Sequence, residues 1–241
     1  MRQWGTPLET FAAIRAKASR HAARNPLALL RKELTTEDVM AAPMVWPGVM
    51  TRLMACPPTC GAAAAVLCSD AFARRHGLRR DVRIRAQAMT TDTAATFGAG
   101  DMREVVGFSM ARAAARQVYE AAGIGPGDVQ LVELHDCFAH NELLSYEALG
   151  LCPEGGAAQF VADGDNTYGG RVVTNPSGGL LSKGHPLGAT GLAQCAELVW
   201  QLRGQAEARQ VAGARLALQH NLGLGGACVV TLYERAEGAA A

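Results

Sequence analysis

Aromatic residues and net charge are both scarce in this sequence. Phe, Tyr and Trp make up 5% of its 241 positions, whereas Gly occurs 27 times, so we expect an aliphatic and closely packed core. The 23 Lys and Arg almost balance the 22 Asp and Glu. Because no global field attracts nucleic acid or an anionic membrane, any recognition of an anion must be local.

Long apolar runs are missing too, since none approaches the roughly 20 residues that a membrane-spanning helix needs. The seven Cys are odd in number and irregularly spaced, which excludes a disulfide framework, and no secretory signal is recognisable. The last three residues are Ala, not a peroxisomal address of the Ser-Lys-Leu kind. We therefore expect a cytoplasmic protein with free thiols.

The first 50 residues are rich in Lys and Arg and carry two short helical patterns, over 11–24 and 26–32. Prolines at 43 and 47 close this segment, which has the character of an appendage. Its basic residues suit either the phosphates of a nucleotide-like ligand or a solvated helix face, and we favour the solvated face. They are Arg15, Lys17, Arg20, Arg24, Arg31 and Lys32.

Residues 61–68 form an Ala-rich run without charged side chains, so we expect this run to be buried. Further along, strands and helices alternate, an order that predicts the α/β class. The Gly-rich stretch at 155–184 is a long loop of the kind that usually carries function. The predicted strands are 82–88, 129–134, 215–219 and 228–233, and the predicted helices are 110–121, one ending at 149, and one that includes 192–199 and begins near Pro186 or Gly188.

Three short motifs lie where a predicted strand ends or a helix begins. Gly-His-Pro at 184–186 places an imidazole beside small residues and unpaired N–H groups, where it can transfer a proton. His-Asp-Cys-Phe at 135–138 offers a thiol that can act as acid, base or nucleophile. His-Asn-Leu-Gly at 220–223 precedes a Gly-rich turn that extends to 226, whose N–H groups can hold an oxyanion. Singly, each also fits a structural role: a solvated loop His, a buried thiol or a plain turn.

Together these motifs resemble those of the thiolase superfamily, in particular its sterol-carrier-protein thiolase branch, over nearly the whole chain. The resemblance implies that His185 activates a nucleophile and that Cys137 is the second acid/base, with His135 beside it. It also implies an oxyanion hole formed by the N–H of Gly223 and by His185. Family-like stretches at 141–144, 165–170 and 175–179 extend the match. The substrate-binding residues implied are Asn175, Ser177, Gly178, Gly188 and Asn221.

The resemblance further implies a thiolase-like α/β fold with one complete carboxyl-terminal half, a mixed sheet with helices packed on it. We expect a loop-domain remnant at 1–50, the last element of the amino-terminal half at 51–80, the carboxyl-terminal domain at 81–236 and a tail at 237–241. The nucleophilic Cys of the family lies in its first half, so we expect a fragment or a mis-started reading frame that lacks it. No matching context surrounds Cys56, Cys60, Cys68, Cys152, Cys195 or Cys228.

The expected activity is acyl transfer in lipid metabolism: thiolysis of 3-ketoacyl-CoA or the reverse Claisen condensation. Its partners are acyl-CoA and CoA, the latter as substrate, with no cofactor and no metal. The chain is expected to be inactive alone, and to form a homo-oligomer or to pair with a partner that supplies the missing half. The alternative is a non-catalytic or partner-dependent subunit for acyl-CoA binding or retro-aldol cleavage. Dinucleotide, phosphate-loop, esterase and paired zinc motifs are incomplete or missing.

Overall fold

The computed structural model describes residues 1–98, 100–223 and 226–236. The predicted tail at 237–241 and two positions of the predicted Gly-rich turn, 224 and 225, lie outside the described residues.

Short 3₁₀ turns occupy Arg52–Met54, Pro126–Asp128 and Glu207–Arg209. The strands are β1 (Met44–Trp46), β2 (Met50–Thr51), β3 (Pro58–Thr59), β4 (Val82–Thr91), β5 (Leu131–Glu133), β6 (Val173–Thr174), β7 (His185–Pro186), β8 (Leu216–Gly223) and β9 (Ala227–Arg235). The helices are α1 (Leu8–Ala23), α2 (Thr36–Met40), α3 (Asp70–Arg75), α4 (Ala95–Gly98), α5 (Met102–Val105), α6 (Phe108–Ala122), α7 (Ala139–Ala148), α8 (Ala157–Ala162), α9 (Gly179–Ser182) and α10 (Thr190–Leu202).

A five-stranded mixed sheet, in the order β4-β9-β8-β5-β6, forms the centre of the described part of the chain. Strands β4, β9 and β8 pair antiparallel, whereas β8, β5 and β6 run parallel. Helices α1, α6 and α7 pack on one face and α10 packs on the other. The predicted mixed sheet with helices on it is therefore confirmed. None of the described helices combines the length and apolar character that a bilayer crossing requires.

Periodicity located the longest elements well. Strand β4, helix α6, and strands β8 and β9 lie where the sequence predicts them, and Gly123 ends α6 in the left-handed conformation, with φ +65°. The start of α10 was predicted too early. It begins at Thr190 because His185–Pro186 pairs as β7 with β3, and because Gly188 has φ +82°, outside the helical region.

Helix α1 lies in the interior, so the expectation of an amino-terminal appendage is wrong. Ile14 and Ala18 are fully buried, and the basic residues Arg15 and Lys17 are only 2% exposed. The solvated-face interpretation is therefore wrong for these two, although Arg20 and Arg24 are exposed as expected. Burial is possible because α1 meets polar groups from distant segments.

Lys17 carries most of those polar contacts. Its ammonium group forms a buried salt bridge with Glu142 of α7 and donates to the hydroxyl of Thr174 in β6, 2.7 Å away. The Tyr146 hydroxyl also donates to Glu142, at 2.6 Å. A charge can leave water when its partner and its hydrogen bonds are supplied in this way. This network joins α1, α7 and the sheet.

The predicted helix over 26–32 is also absent from the structure. The backbone N–H groups of Leu29 and Leu30 donate to the carbonyls of Lys183 and Ser182, at 3.1 and 3.0 Å. These bonds to a distant segment replace the local bonds of a helix.

The Ala-rich run at 61–68 was expected to be buried but is exposed, the reverse of α1. It has no helix or strand, and Val66 and Leu67 are 98% and 72% exposed. The expectation of burial is therefore wrong, because no surface among the described residues covers this run. An apolar segment is buried only where the fold supplies a partner for it.

Candidate active site

Residues from three segments meet at the carboxyl ends of the parallel strands. Strand β5 lies between β6 and β8, and its register pairs Glu133 with Gln219. The chain leaves β5 into residues 135–138 and leaves β6 into residues 175–179, while 220–223 are the last residues of β8. Parallel neighbouring strands deliver the residues that follow them to one edge, where ligands of α/β folds collect.

Two imidazoles from different motifs are in direct contact at this edge. The rings of His135 and His185 lie edge to face, with centroids 4.9 Å apart. The backbone N–H of His135 donates to Nδ1 of His220, at 3.4 Å. Burial, helped by these two neighbouring imidazoles, lowers the pKa of His135 to about 3. The site therefore holds a neutral, buried imidazole beside the more accessible His185.

The hydrogen bonds of His185 assign its tautomer. Its Nδ1 lies 2.7 Å from the Thr190 hydroxyl oxygen, and that hydroxyl donates to the Pro186 carbonyl at 3.1 Å. Since the hydroxyl proton is committed to the carbonyl, Nδ1–H donates to the hydroxyl oxygen and Nε2 carries the lone pair. Burial, with a contribution from Lys183, lowers the pKa of His185. The ring is therefore a neutral proton acceptor at Nε2.

Cys137 is half-buried next to a second cysteine. Its carbonyl accepts from the N–H of Cys56, at 2.9 Å, within a short antiparallel bridge that pairs Ala55 with Phe138. Burial raises the pKa of Cys137 to about 12, and Cys56 and Asp136 add to the effect. The thiol is therefore protonated at neutral pH and suits the role of an acid.

One segment supports both the thiol and the imidazole. Residues 55 and 56 pair with 137 and 138, and Pro58–Thr59 (β3) runs parallel to His185–Pro186 (β7). Sequence analysis placed 51–80 in the last element of the amino-terminal half and predicted no role for 55–59. Pairing between separate segments leaves no local pattern, so this support was missed.

Asp136 is a further residue that sequence reasoning left without a role. It is fully buried, and its carboxylate accepts from the N–H groups of Leu180 and Leu181 at the start of α9, at 2.7 and 3.3 Å. Burial raises its pKa well above the ordinary value. A Cβ at Gly179 would overlap this carboxylate, so glycine is required there. Asp136 thereby ties the 135–138 motif to the segment that leads to His185.

Two predicted substrate-binding residues make internal bonds. The Asn175 side-chain oxygen accepts from the N–H of Leu134 at 2.8 Å, and the Ser177 hydroxyl donates to Glu133 at 2.8 Å. Both residues are fully buried. They hold the end of β5 against the 175–179 loop, and their contact with substrate stays a prediction.

The other four predicted residues each lie in a different setting. Gly178, with φ +97°, packs so closely on Ala22 of α1 that a Cβ would overlap its backbone. Gly188 is exposed near His185. The Asn221 amide donates to Gln194 of α10 at 2.9 Å. Gly223 ends β8 opposite Ala227. Among the described residues, no group of His, Cys, Asp and Glu is arranged to hold a metal ion.

Comparison with known proteins finds a matching family and relatives that cover almost the whole chain. The family described as "Thiolase C-terminal domain-like" matches residues 92–233. Sterol carrier protein 2 of Homo sapiens is 55% identical over 235 residues, which are 97% of this chain and 43% of that protein. An acetyl-CoA acetyltransferase of Methanothermobacter thermautotrophicus is 40% identical over 237 residues, 98% of this chain and 60% of that protein.

One solved structure, titled "Ltp2-ChsH2(DUF35) aldolase", matches with a TM-score of 0.81 at 22% identity, over 98% of this chain and 60% of that chain. At this identity the likeness concerns the fold, and it agrees with the predicted α/β architecture. The chain thus spans about half the length of the proteins it matches.

Proposed function

This chain belongs to the thiolase family, and we propose that it provides the acid/base half of an acyl-CoA acyltransferase of the sterol-carrier-protein thiolase branch. The proposed reaction is thiolysis of 3-ketoacyl-CoA, or the reverse condensation, in lipid metabolism. The supporting observation is the convergence of residues 135–138, 185 and 220–223 at one sheet edge. This chain spans 43% of sterol carrier protein 2. The activity of a whole enzyme is therefore proposed here, together with the role of this chain in it.

The chemistry requires a proton to move at a carbon next to a thioester carbonyl. That carbon is weakly acidic, so the step needs a positioned acid/base and donors aimed at the enolate oxygen. In the proposal, Cys137 exchanges the proton and the N–H of Gly223 donates to the oxygen. The raised pKa of Cys137 supports a thiol that gives its proton to a carbanion and takes it back in the reverse direction.

His185 has two consecutive roles in this scheme. Its Nε2 first accepts the proton of a nucleophilic thiol, a role supported by the bond from Nδ1–H to Thr190. Once protonated, the same Nε2 becomes a donor and joins Gly223 in stabilising the thioester oxygen. One nitrogen thus serves as base and then as oxyanion donor. Gly188, exposed nearby, leaves room for the substrate in this proposal.

The nucleophile that forms the acyl-enzyme is proposed to come from polypeptide other than this sequence. We accordingly expect no thiolysis by this chain alone, and we propose assembly with a second copy or a complementary chain in the cytoplasm. The assay is incubation with a 3-ketoacyl-CoA and CoA. Release of acetyl-CoA by the purified chain at a normal rate would contradict this part of the proposal.

Deuterium exchange tests the acid/base half separately, because exchange needs no acyl-enzyme. The chain is incubated with acetyl-CoA in D₂O, and uptake of deuterium into the acetyl group is followed by mass spectrometry. We expect exchange above the buffer rate, with a loss of about 100-fold or more in Cys137→Ala and His185→Asn. His76→Asn, at an exposed position, is the matched control. Equal exchange in all four proteins would reject the assignment.

A partner-dependent subunit is the second candidate. The exposed apolar run at 61–68 favours it, since apolar surface of this kind is typical of an interaction site. Such a subunit would bind acyl-CoA or support retro-aldol cleavage, which needs acid/base groups and an enolate site but no nucleophile. Ketone or aldehyde release from a 3-hydroxyacyl-CoA, without any thiolysis in the assembled complex, would favour this candidate.

A further inference from the structure

Arginines crowd one end of the central sheet, outside the site described above. Residues 74–85 include six arginines and one carboxylate, although the whole chain has a net charge of only +1. In the sheet, Arg83 of β4 lies opposite Glu234 of β9, which in turn lies opposite Leu216 of β8. Gly223 is seven residues further along β8, about 23 Å away. The arginines therefore lie at the opposite end of the sheet from the proposed oxyanion donor.

Three carboxylates pair with these arginines, and each carboxylate is shared by two guanidinium groups. The pairs are Arg74 and Arg80 with Asp70, Arg79 and Arg203 with Asp81, and Arg83 and Arg85 with Glu234. A carboxylate balances only one of its two partners, so half of this positive charge is uncompensated. The side chains of Asp81 and Glu234 are 16% and 17% exposed, whereas those of Arg79 and Arg83 are 58% and 63% exposed. Solvent therefore meets mainly the guanidinium groups.

Three more arginines enlarge this surface. The Arg75 guanidinium lies over the Phe72 ring, 5.6 Å from its centroid. Arg235 lies opposite Val82 of β4, and its N–H donates to the carbonyl of Arg215 at 2.9 Å. The arginine patch thus consists of Arg74, Arg75, Arg79, Arg80, Arg83, Arg85, Arg203, Arg215 and Arg235. Its local positive field favours a partner with many negative charges.

Apolar side chains are exposed among these arginines. Phe72 of α3 is 42% exposed, and Leu78 in the turn that follows α3 is 47% exposed. The N–H of Leu78 donates to the Ala73 carbonyl at 2.9 Å, which folds this turn back against α3. Basic and apolar side chains on one surface are typical of a protein that lies on an anionic bilayer. The phosphates of a nucleic acid would match the charge but would leave Leu78 in water, so the bilayer is the better fit.

We propose that the arginine patch holds this protein on the surface of a bilayer rich in anionic phospholipids. The guanidinium groups bind the charged headgroups, and Phe72 and Leu78 enter the boundary between headgroups and acyl chains. The inference goes beyond the proposed acyl-CoA function and does not depend on it, because the patch and the proposed site occupy opposite ends of the sheet.

Vesicle flotation on a sucrose gradient tests the proposal with the full chain. Vesicles of phosphatidylcholine with about 30% phosphatidylserine should carry the protein upward at about 0.1 M NaCl, whereas vesicles of phosphatidylcholine alone should not. Aggregated protein stays at the bottom and cannot be mistaken for bound protein. Raising the salt to about 0.5 M should release the protein, because salt screens exposed charges.

A triple variant tests the patch directly. Combining Arg75→Gln, Arg80→Gln and Arg83→Gln removes three charges and leaves each carboxylate with one arginine partner. Affinity for the anionic vesicles should fall by roughly 100-fold, since each arginine near such a surface contributes about fivefold. The substitutions are at exposed positions, and circular dichroism checks that the variant is folded.

A matched control removes the same charge elsewhere. Arg31→Gln, Arg52→Gln and Arg171→Gln, all at exposed positions, should together change the affinity by no more than about twofold. Leu78→Ser keeps every charge and should weaken binding by about fivefold, which separates insertion of apolar side chains from attraction between charges.

Four outcomes would overturn the proposal. The first two concern the unaltered chain: no flotation with either kind of vesicle, or equal flotation with both. Equal losses in the two triple variants would assign the effect to net charge and not to the patch. Binding to an oligonucleotide, measured by fluorescence anisotropy, without binding to vesicles would assign the patch to nucleic acid. None of these results would affect the acyl-CoA proposal, which the deuterium exchange tests separately.

Discussion

Helix α1 and the run at 61–68 invert the usual relation between polarity and burial. In α1, Arg15 and Lys17 are 2% exposed, whereas Val66 and Leu67 in the run are 98% and 72% exposed. The difference lies in the partners that the fold supplies. Lys17 meets a carboxylate and a hydroxyl, and the Arg15 guanidinium donates to the Ser182 hydroxyl at 2.6 Å, but no described surface covers the run. Burial in this protein depends on available partners more than on the polarity of a residue.

The largest expected effect is at Lys17. Lys17→Ala leaves Glu142 buried without its counter-charge and should lower the free energy of unfolding by about 4 kcal/mol. Urea denaturation followed by circular dichroism measures the change. Arg20→Ala, at an exposed position of the same helix, is the matched control and should change stability by less than about 0.5 kcal/mol. Equal losses in the two variants would remove the distinction between buried and exposed charges of α1.

Two glycines, one packed against α1 and one in the exposed run, allow the same comparison for the backbone. Gly178→Ala places a Cβ against the backbone of Ala22 in α1, at φ +97°, and should cost about 3 kcal/mol. In the exposed run, a Cβ at Gly61 meets only Pro186, at 3.4 Å, so Gly61→Ala should be close to neutral. Thermal unfolding of both variants checks this, and a larger loss at Gly61 would contradict it.

Acid should destabilise the molecule, in part through the buried imidazole of His21 on α1. Burial, with a contribution from Lys17, lowers the pKa of His21 to about 3, below its ordinary value of about 6.5. The unfolded chain therefore takes up a proton first as pH falls, and stability is lost from about pH 6.5 downward. This one residue should cost about 2 kcal/mol between pH 6.5 and 5.

Urea unfolding at several pH values measures the slope of the unfolding free energy against pH. The other buried imidazoles also contribute to this slope. His21→Gln should flatten part of it, whereas His76→Gln, at an exposed position, should leave it unchanged. An identical slope in the unaltered chain and in His21→Gln would show that the imidazole on α1 does not carry the effect.

The smallest effect on stability is expected in the exposed run. Leu67→Asp should change the free energy of unfolding by no more than about 0.5 kcal/mol, because Leu67 contacts solvent in the described structure. The same substitution should lower self-association, measured by analytical ultracentrifugation, if the run is an interaction surface. A loss of several kcal/mol in a monomeric sample would mean that the run is packed after all.

The features predicted correctly from the sequence are those that leave a local pattern, either a hydrophobic period or a short motif. Strand β4 and helix α6 follow the periods of two and 3.6 residues, and the motifs around Cys137 and His185 were located by family resemblance. Burial of Lys17 could not be predicted, since its partner Glu142 lies 125 positions away and leaves no local pattern. The contact between the His135 N–H and the His220 ring could not be predicted for the same reason, because the two residues lie 85 positions apart.

The segment at 55–59 has a consequence for assembly. It pairs at one end with the backbone of Cys137 and at the other with His185, and the exposed run begins two residues later. The thiol, the imidazole and the apolar surface therefore share one short stretch of main chain. In the function proposed above, a partner that binds the run would contact the same backbone that positions Cys137 and His185, so binding of the partner would be coupled to the geometry of the site.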